Sequence, residues 1–332
     1  MKASIQTQRI IACAIFLLTA SSAFSWDNPG HMSVAGLAYD VLSNAEQVKL
    51  VGLIKQHPDL HLVMRGFPDA PPSDRELVMA LATWPDLIKQ DKLEYKDEGY
   101  EETAPAVTSI TFDNKMHKGW HFIDNPIWLG EGTAPHLPDV PQANAVGVVS
   151  ILKKQLVSKE ADAAKAYDLG WLLHLVGDLH QPLHAVTGVT QTLPSGDQGG
   201  NKVMVQGVKG ERELHAVWDD FLGKSATPDR QTHLPRLDKD IATADDIITS
   251  IQHEPLGADP DNLDPNVWAS ESAKMAKEDA YNLTLQPSSG DHGDELDAEL
   301  DDAYMQRATV DAKQRIRQAS HRLAFILKQV LQ

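Results

Sequence analysis

Residues 174–184 read His174-Leu-Val-Gly-Asp178-Leu-His180-Gln-Pro182-Leu-His184, a run that combines three imidazoles and a carboxylate. This composition is typical of a metal site. Residues four apart share one face of a helix, so His174 and Asp178 are expected to point the same way. Pro182 interrupts a regular helix and lets His184 point elsewhere. The segment could therefore serve two metal ions.

Helical spacing of apolar residues extends from this segment through most of the chain and predicts an all-α fold. The helical patterns cover residues 31–43, 45–56, 75–91, 143–157, 163–181, 212–222, 237–252, 266–283 and 297–331. Ser43 and Ser73 are expected to be helix N-caps. We interpret residues 26–332 as a single large helical domain.

Strand and loop signals are short by comparison. Beta-branched alternation over Lys202 to Val208 predicts one small β-hairpin. The acidic run from Asp291 to Asp302 is expected to be a solvated loop or helix face. Long surface loops are predicted at 92–116, 187–200, 224–236 and 254–265. The first two lie between candidate metal-binding segments, so they are expected at the rim of a cleft.

The first 25 residues have the pattern of a cleavable secretory signal. A basic start is followed by an apolar run from Ile10 to Ala20, and small residues stand at positions 23 and 25, before Trp26. The run is shorter than the roughly 20 residues that a membrane span needs. We therefore expect a periplasmic or secreted protein without stable membrane association. Cys13 is the sole cysteine and lies in this signal, so the exported protein would have no disulfide.

The formal net charge of −17 makes a polyanion an unfavourable partner for most of the surface. Binding along duplex DNA through a stripe of lysine and arginine is therefore disfavoured. A phosphate substrate held by local metal charge is still compatible with this composition, because bound divalent ions can dominate the field in a site.

Four further segments carry histidine and aspartate at spacings that a metal site can use: Trp26–His31, Thr83–Lys89, Trp120–Asp124 and Glu213–Asp219. His215 and Asp219 repeat the spacing of His174 and Asp178. Two such pairs beside apolar positions would be costly to bury unless they were paired or bound a metal. Zinc accepts imidazole and carboxylate ligands where thiolate is absent. Each segment is a weak indication alone, but together they predict a metal centre.

Each segment also has an ordinary interpretation. The amino group of a processed Trp26 could bind a metal because its reference pKa is about 7.7–8.0, but a chain terminus is often frayed. Asp86 and Lys89 could form a surface ion pair, and His121 could be a half-buried histidine without a metal. His180 points off the face of Asp178, which favours a supporting or core position.

In this order, the motifs resemble those of the S1/P1 nuclease family, whose members are zinc-dependent and cut single-stranded nucleic acids. The motifs are Trp26, Gly30-His31, Trp84-Pro-Asp86, Trp120-His121-Phe-Ile-Asp124, His174 to His184, Gly199-Gly-Asn201 and Leu214-His215 to Trp218-Asp219. The resemblance continues through Trp268-Ala-Ser-Glu271-Ser and Arg322-Leu-Ala324. It implies a helical domain of the phospholipase C/P1 nuclease type. The lack of disulfides differs from fungal and plant members and points to a bacterial form.

Three zinc ions are implied by the resemblance. The first would be held by Asp86, His121, His174 and Asp178. The second would be held by His184, His215 and Asp219. The third would be held by the amino nitrogen and carbonyl oxygen of Trp26, by His31 and by Asp178, which would bridge two ions.

The resemblance also implies the reaction and its other residues. Single-stranded DNA, RNA and mononucleotides would be hydrolysed, leaving 5′ phosphates, with 3′-nucleotidase activity besides. Asp124 would orient the attacking water, Lys89 and Asn201 would contact phosphoryl oxygens, and Phe122 would wall a base-binding pocket. We expect a monomer.

Two alternatives stay open at this point. Zinc-dependent phospholipase C is similar in fold and zinc ligands, although the amino-acid sequence at residues 177–184 and 120–124 fits the nucleases better. A non-catalytic zinc-binding or periplasmic storage protein would use the same ligands in closed sites, whereas catalytic sites keep an open position.

Overall fold

The computed structural model describes residues 26–90, 93, 95–99, 105–158, 161–207, 212–230, 233–288 and 295–332. The proposed signal at residues 1–25 lies outside these described residues and stays a prediction, and parts of the predicted loops also fall outside them.

The described residues form a mainly helical fold, 51% helix and 8% strand, which confirms the predicted all-α class. The helices are α1 (Asn28–Asp40), α2 (Asn44–Ile54), α3 (Leu60–Met64), α4 (Asp74–Leu81), α5 (Trp84–Leu87), α6 (Ala145–Leu156), α7 (Asp162–Asp178), α8 (Leu214–Asp219), α9 (Leu237–Ile251), α10 (Pro265–Met275) and α11 (Asp302–Val330). Short 3₁₀ turns at Lys118–His121 and Pro182–Ala185 and a π-helical turn at Ala276–Ala280 complete the helical elements.

Two helices lie at the centre of the core and carry candidate ligands. Helix α7 is buried without interruption from Ala166 to Asp178, and it contacts α1, α2, α5, α6 and α11. Helix α1 is buried from Pro29 to Ala38 against α4, α9 and α11. A helix buried on all sides needs apolar residues around its whole circumference. Polar side chains at such positions require partners.

Two small sheets lie beside the helices. Strand β1 (Asn125–Trp128) pairs in parallel with β2 (Val186–Val189), which directly follows the 3₁₀ turn at Pro182–Ala185. In the second sheet the strand order is β4, β3, β6, β5. These strands are β3 (Val203–Gln206), β4 (Arg212–Glu213), β5 (Gln286–Pro287) and β6 (Leu296–Glu299).

The second sheet confirms one prediction in part and corrects another. Strand β3 lies within the hairpin predicted over Lys202 to Val208, but its antiparallel partner β4 begins beyond that range, where the sequence pattern predicts a helix. The pair also belongs to a larger sheet because β6 pairs in parallel with β3. The acidic run therefore contains a strand. Leu296 of this strand is buried in a small apolar cluster with Val203 and Val205, whereas Glu299 is exposed. This short alternation was hidden by the acidic residues around it.

The ends of the helices follow local sequence signals more closely than the strands do. Ser43 and Ser73 each form a capping box, as their positions predicted. The pattern over 75–91 divides into α4 and α5 around Thr83, with Pro85 in the first turn of α5, where a missing N–H costs nothing. None of the helices in the described part of the chain has both the length and the apolar character needed to cross a membrane.

We expect Ser73→Ala to lower the free energy of unfolding by about 1 kcal/mol, because the N–H of Glu76 loses its side-chain acceptor. Chemical denaturation measures the change. Ser73→Asp is the matched control, since aspartate is also a good N-cap and should keep the stability near that of the parent protein. Equal stabilities of the alanine variant and the parent would contradict the assignment.

Candidate metal centre

The first cluster contains Asp86, His121, His174 and Asp178, all of them buried. They come from α5, from the 3₁₀ turn at Lys118–His121 and from the last turns of α7. His174 Nε2 lies 3.0 Å from His121 Nδ1 and 3.2 Å from Asp178 Oδ2. Asp178 Oδ2 also lies 3.1 Å from His121 Nδ1. The Oδ1 atom of Asp86 is 3.6 Å from His174 Nε2. Four potential ligand atoms therefore converge in one place.

The second cluster contains His184, His215 and Asp219, which are also buried. His184 lies in the 3₁₀ turn that begins at Pro182, so the proline does redirect it as predicted. His215 and Asp219 share one face of α8, and His215 Nε2 lies 3.6 Å from Asp219 Oδ2. The Nε2 atoms of the two histidines are 3.2 Å apart.

Backbone carbonyl groups determine which ring nitrogen of each histidine is free to bind a metal. His184 Nδ1 lies 2.8 Å from the carbonyl oxygen of His121, and His215 Nδ1 lies 2.7 Å from that of Gly199. A carbonyl oxygen only accepts hydrogen bonds, so each Nδ1 carries the proton and donates. Both Nε2 lone pairs then face each other, and a cation between them would turn this unfavourable contact into ligation. The donor set fits zinc, which binds neutral imidazole and carboxylate.

The third cluster places His31 of α1 beside Asp178. His31 Nε2 lies 3.4 Å from Asp178 Oδ1, and its ring stacks on His174 with 3.8 Å between centroids. His174 Nδ1 donates to the carbonyl of Ala82 at 2.8 Å, so His174 has a single lone pair and can serve only one ion. A separate ion at His31 and Asp178 therefore needs ligands from elsewhere.

Trp26 is placed close to this third cluster. Its fully buried indole donates from Nε1 to the carbonyl oxygen of Gly177 at 3.1 Å. Gly177 also permits the close approach of His31, since a Cβ there would lie 2.9 Å from His31 Nδ1. The structure thus brings Trp26, His31 and Asp178 together, and ligation by the Trp26 amino group stays a prediction.

The two residues after Trp26 are held by a network that sequence inspection missed. Asp27 donates from its N–H to the carbonyl of Asp219 at 3.0 Å, and its carboxylate accepts from the N–H of Ser225 at 3.0 Å. The side-chain amide of Asn28 donates to Asp240 at 2.8 Å. These bonds link the start of the domain to the second cluster, over a separation in sequence that no local pattern reveals.

Burial sets the electrostatics of the clusters. It lowers the pKa of His31, His121 and His184 well below the usual value, and neighbouring positive groups lower these pKa values further. Burial raises the pKa of Asp178 to about 6, although His174 opposes the shift. It also raises the pKa of Asp219. Neutral imidazoles beside desolvated carboxylates are ready to receive a divalent cation.

The other predicted residues surround the clusters. Lys89 Nζ lies 2.6 Å from Asp86 Oδ1, and both side chains are nearly inaccessible, so the interpretation as an ordinary surface pair is wrong. Asn201 is half-buried and donates from Nδ2 to the carbonyl of Gln198 at 2.6 Å. Half-buried Phe122 directly follows His121, and half-buried Asp124 lies close enough to contribute to the raised pKa of Tyr281.

Two supporting side chains come from the segment that connects the first and second clusters. Gln181 donates from Nε2 to Asp219 Oδ1 at 2.8 Å, a role that sequence reasoning missed although the residue lies in the most informative stretch. His180 points away from the clusters, as predicted, and contacts Arg322 at 2.9 Å. Arg322 in turn pairs with Glu271 at 2.7 Å, which anchors the segment to α10 and α11.

The described residues thus form a helical domain with three groups of buried imidazoles and carboxylates, each of which could hold a metal ion. The sequence model described as S1/P1 Nuclease matches residues 26–332, and the chain belongs to this family. Endonuclease 1 from Arabidopsis thaliana is 25% identical and covers 98% of this chain and 93% of its own length. Endonuclease 3 from the same plant is 26% identical, with 85% of each chain covered. These matches support nuclease activity and confirm the resemblance. The family is in general zinc-dependent.

The electrostatics of Asp178 predict opposite effects of Asp178→Asn on the metal-free and the metal-loaded protein. A carboxyl group whose folded pKa is raised from 3.8 to about 6 binds more protons when folded, so its contribution to stability falls as pH rises between these values. At pH 7 the metal-free variant should unfold at a higher temperature than the metal-free parent. With zinc present, the variant should unfold at a lower temperature than the zinc-loaded parent, because it lacks the carboxylate that binds metal.

Thermal unfolding with and without a chelator checks both signs. The two proteins in chelator at pH 4 are the internal control, since the difference between their unfolding temperatures should be smaller there than at pH 7. A variant less stable than the parent in both metal states would contradict the account.

Proposed function

We propose that this protein is an exported three-zinc nuclease that hydrolyses single-stranded DNA and RNA, leaves 5′ phosphates and also removes 3′ phosphates from mononucleotides. The observation that carries the proposal is the division of the Asp178 carboxylate between two clusters. Its Oδ2 faces His121 and His174, while its Oδ1 faces His31. A carboxylate shared in this way suits two adjacent metal ions.

Zinc would be held by the residues of the three clusters, with Trp26 completing the third. When bound, it would supply positive charge for the phosphoryl oxygens and lower the pKa of a bound water to about 7. That charge would also counter the acidic surface locally, which allows a polyanionic substrate in a chain with a net charge of −17.

The residues around the clusters would position the substrate. Lys89 is held by Asp86 within the first cluster, so its ammonium group can pair with a phosphoryl oxygen without reaching in from the surface. Asn201 can donate a hydrogen bond to the same group. Asp124, when ionised, can only accept hydrogen bonds, so it is suited to orient a water molecule.

The preference for single strands is supported by burial. The candidate ligands of the three clusters are at most 5% exposed, so a phosphodiester must enter a confined site to reach them. A flexible single strand can bend and turn a base away from its neighbours, whereas a duplex resists such deformation. Phe122 beside His121 offers a ring on which any base can stack.

Metal content provides the first test. The protein starting at Trp26 should bind three zinc ions, His215→Ala one fewer and Asp178→Asn two fewer, since the two carboxylate oxygens of Asp178 face different histidines. A form that keeps residues ahead of Trp26 should also bind one fewer, because its amino group at that position becomes a peptide nitrogen. Elemental analysis after gel filtration measures these numbers. Equal losses in Asp178→Asn and His215→Ala would contradict the bridging role.

Substrate comparison provides the second test. We expect release of acid-soluble 5′ nucleotides from single-stranded DNA and RNA, weaker release from duplex DNA, and loss of both in chelator. Lys89→Met should lower kcat by roughly 100-fold or more with zinc still bound, as loss of a donor to the transition state does in other sites. Lecithin cleavage without nucleotide release would favour a phospholipase. Full zinc content without either activity would favour a storage protein.

A further inference from the structure

The turn at residues 196–201 holds the candidate ligand His215 from behind. The carbonyl oxygen of Gly199 accepts from His215 Nδ1 at 2.7 Å, and the carbonyl oxygen of Gly200 accepts from the N–H of His215 at 3.3 Å. The turn therefore determines both the position of this histidine and the nitrogen that keeps a free lone pair. Groups that orient a metal-binding histidine in this way commonly change metal affinity when they are altered.

The turn can make these contacts only in an unusual backbone conformation. Gly199 and Gly200 have φ values of 64° and 85°, and Gln198 has a φ of 59° although it carries a side chain. A Cβ at Gly199 would lie 2.5 Å from the carbonyl oxygen of Leu183, the neighbour of His184. The turn is thus packed closely between the segment that contains His184 and the helix that contains His215. A left-handed residue other than glycine persists when its surroundings hold it in place.

Asp197 holds the turn in this conformation. Its fully buried carboxylate accepts from the N–H of Gly188 in β2 at 2.7 Å and from the hydroxyl of Tyr281 at 2.7 Å. Its own carbonyl accepts from the N–H of Lys202 at 3.0 Å, closing the turn. A buried carboxylate is expensive to desolvate, so these hydrogen bonds are expected to be strong determinants of the local structure.

We propose that Asp197, with Tyr281 as its partner, is a positioning residue for the second zinc ion, acting through the Gly199 carbonyl on His215. The inference rests on the proposed function, because it requires zinc at His184, His215 and Asp219. It gives the Asp197 and Tyr281 pair a role in zinc affinity, although neither side chain belongs to the metal-binding groups.

The test is a zinc competition titration against a chromophoric chelator. Asp197→Ala should weaken the ion at the second cluster by about 10- to 100-fold, the usual range for loss of an orienting group, and leave the other two ions unchanged. Tyr281→Phe keeps the buried ring and removes one hydrogen bond, so it should weaken the same ion by a smaller factor. This milder variant keeps the proposal testable if the alanine variant does not fold. Asp197→Asn, which keeps an acceptor oxygen, should restore part of the affinity.

A double mutant separates a positioning role from a general structural one. In the His215→Ala background, Asp197→Ala should cause no further zinc loss, since its effect passes through the missing histidine. Asp168→Asn is the matched control, because this aspartate is also fully buried, contacts Gln155 and lies outside the turn; it should leave all three affinities unchanged.

Three results would overturn the inference, and they distinguish a general effect on the fold from a failure of the proposed function. Equal weakening of all three ions by Asp197→Ala and Tyr281→Phe, or further zinc loss in the His215→Ala background, would show that the pair acts on the fold as a whole. A parent protein from which His215→Ala removes no zinc would overturn the proposed function itself, and with it this inference.

Discussion

The shared carboxylate of Asp178 is the constraint on which the arrangement of the site depends. It lies at the end of a helix that is buried on every side, and its two oxygens face different histidines. Burial opposes its ionisation; His174, whose pKa is raised by Asp178 and Asp86 against its own burial, counters this effect, while the pKa values of His31 and His121 are lowered by burial. A buried carboxylate of this kind is costly to ionise, and a bound cation would offset that cost. The centre of the fold is therefore also the centre of its proposed chemistry.

Backbone carbonyl groups determine the direction of the histidines around this centre. Ala82, His121 and Gly199 each supply a carbonyl that receives an Nδ1 proton, so the opposite nitrogen of each ring is presented as a potential ligand. Because the carbonyls belong to elements distant in sequence, the packing of helices and turns is what sets the ligand geometry. The same buried carboxylates and facing imidazole lone pairs that would bind a metal ion therefore lower the stability of the metal-free core.

Much of the fold and the site followed from local patterns. The His174 and Asp178 pair and the His215 and Asp219 pair were evident because a helix places residues four apart on one face. Capping boxes at Ser43 and Ser73 also depend on neighbours only three residues away. Strand β6 escaped notice because its alternation is short and surrounded by acidic residues. The burial of Lys89 was equally hidden, since the spacing of Asp86 and Lys89 fits an exposed helix as well as a buried one.

The sequence by itself determined which side chains could bind metal, which of them share a helical face, and that the chain resembles the S1/P1 nucleases. Only the tertiary structure decided how the segments combine. It placed His31 against Asp178, Asp27 against Asp219 and the glycine turn behind His215. The physical reason is range: helical periodicity and capping act within one or two turns, whereas these contacts join residues that meet only when the central helices pack and exclude water.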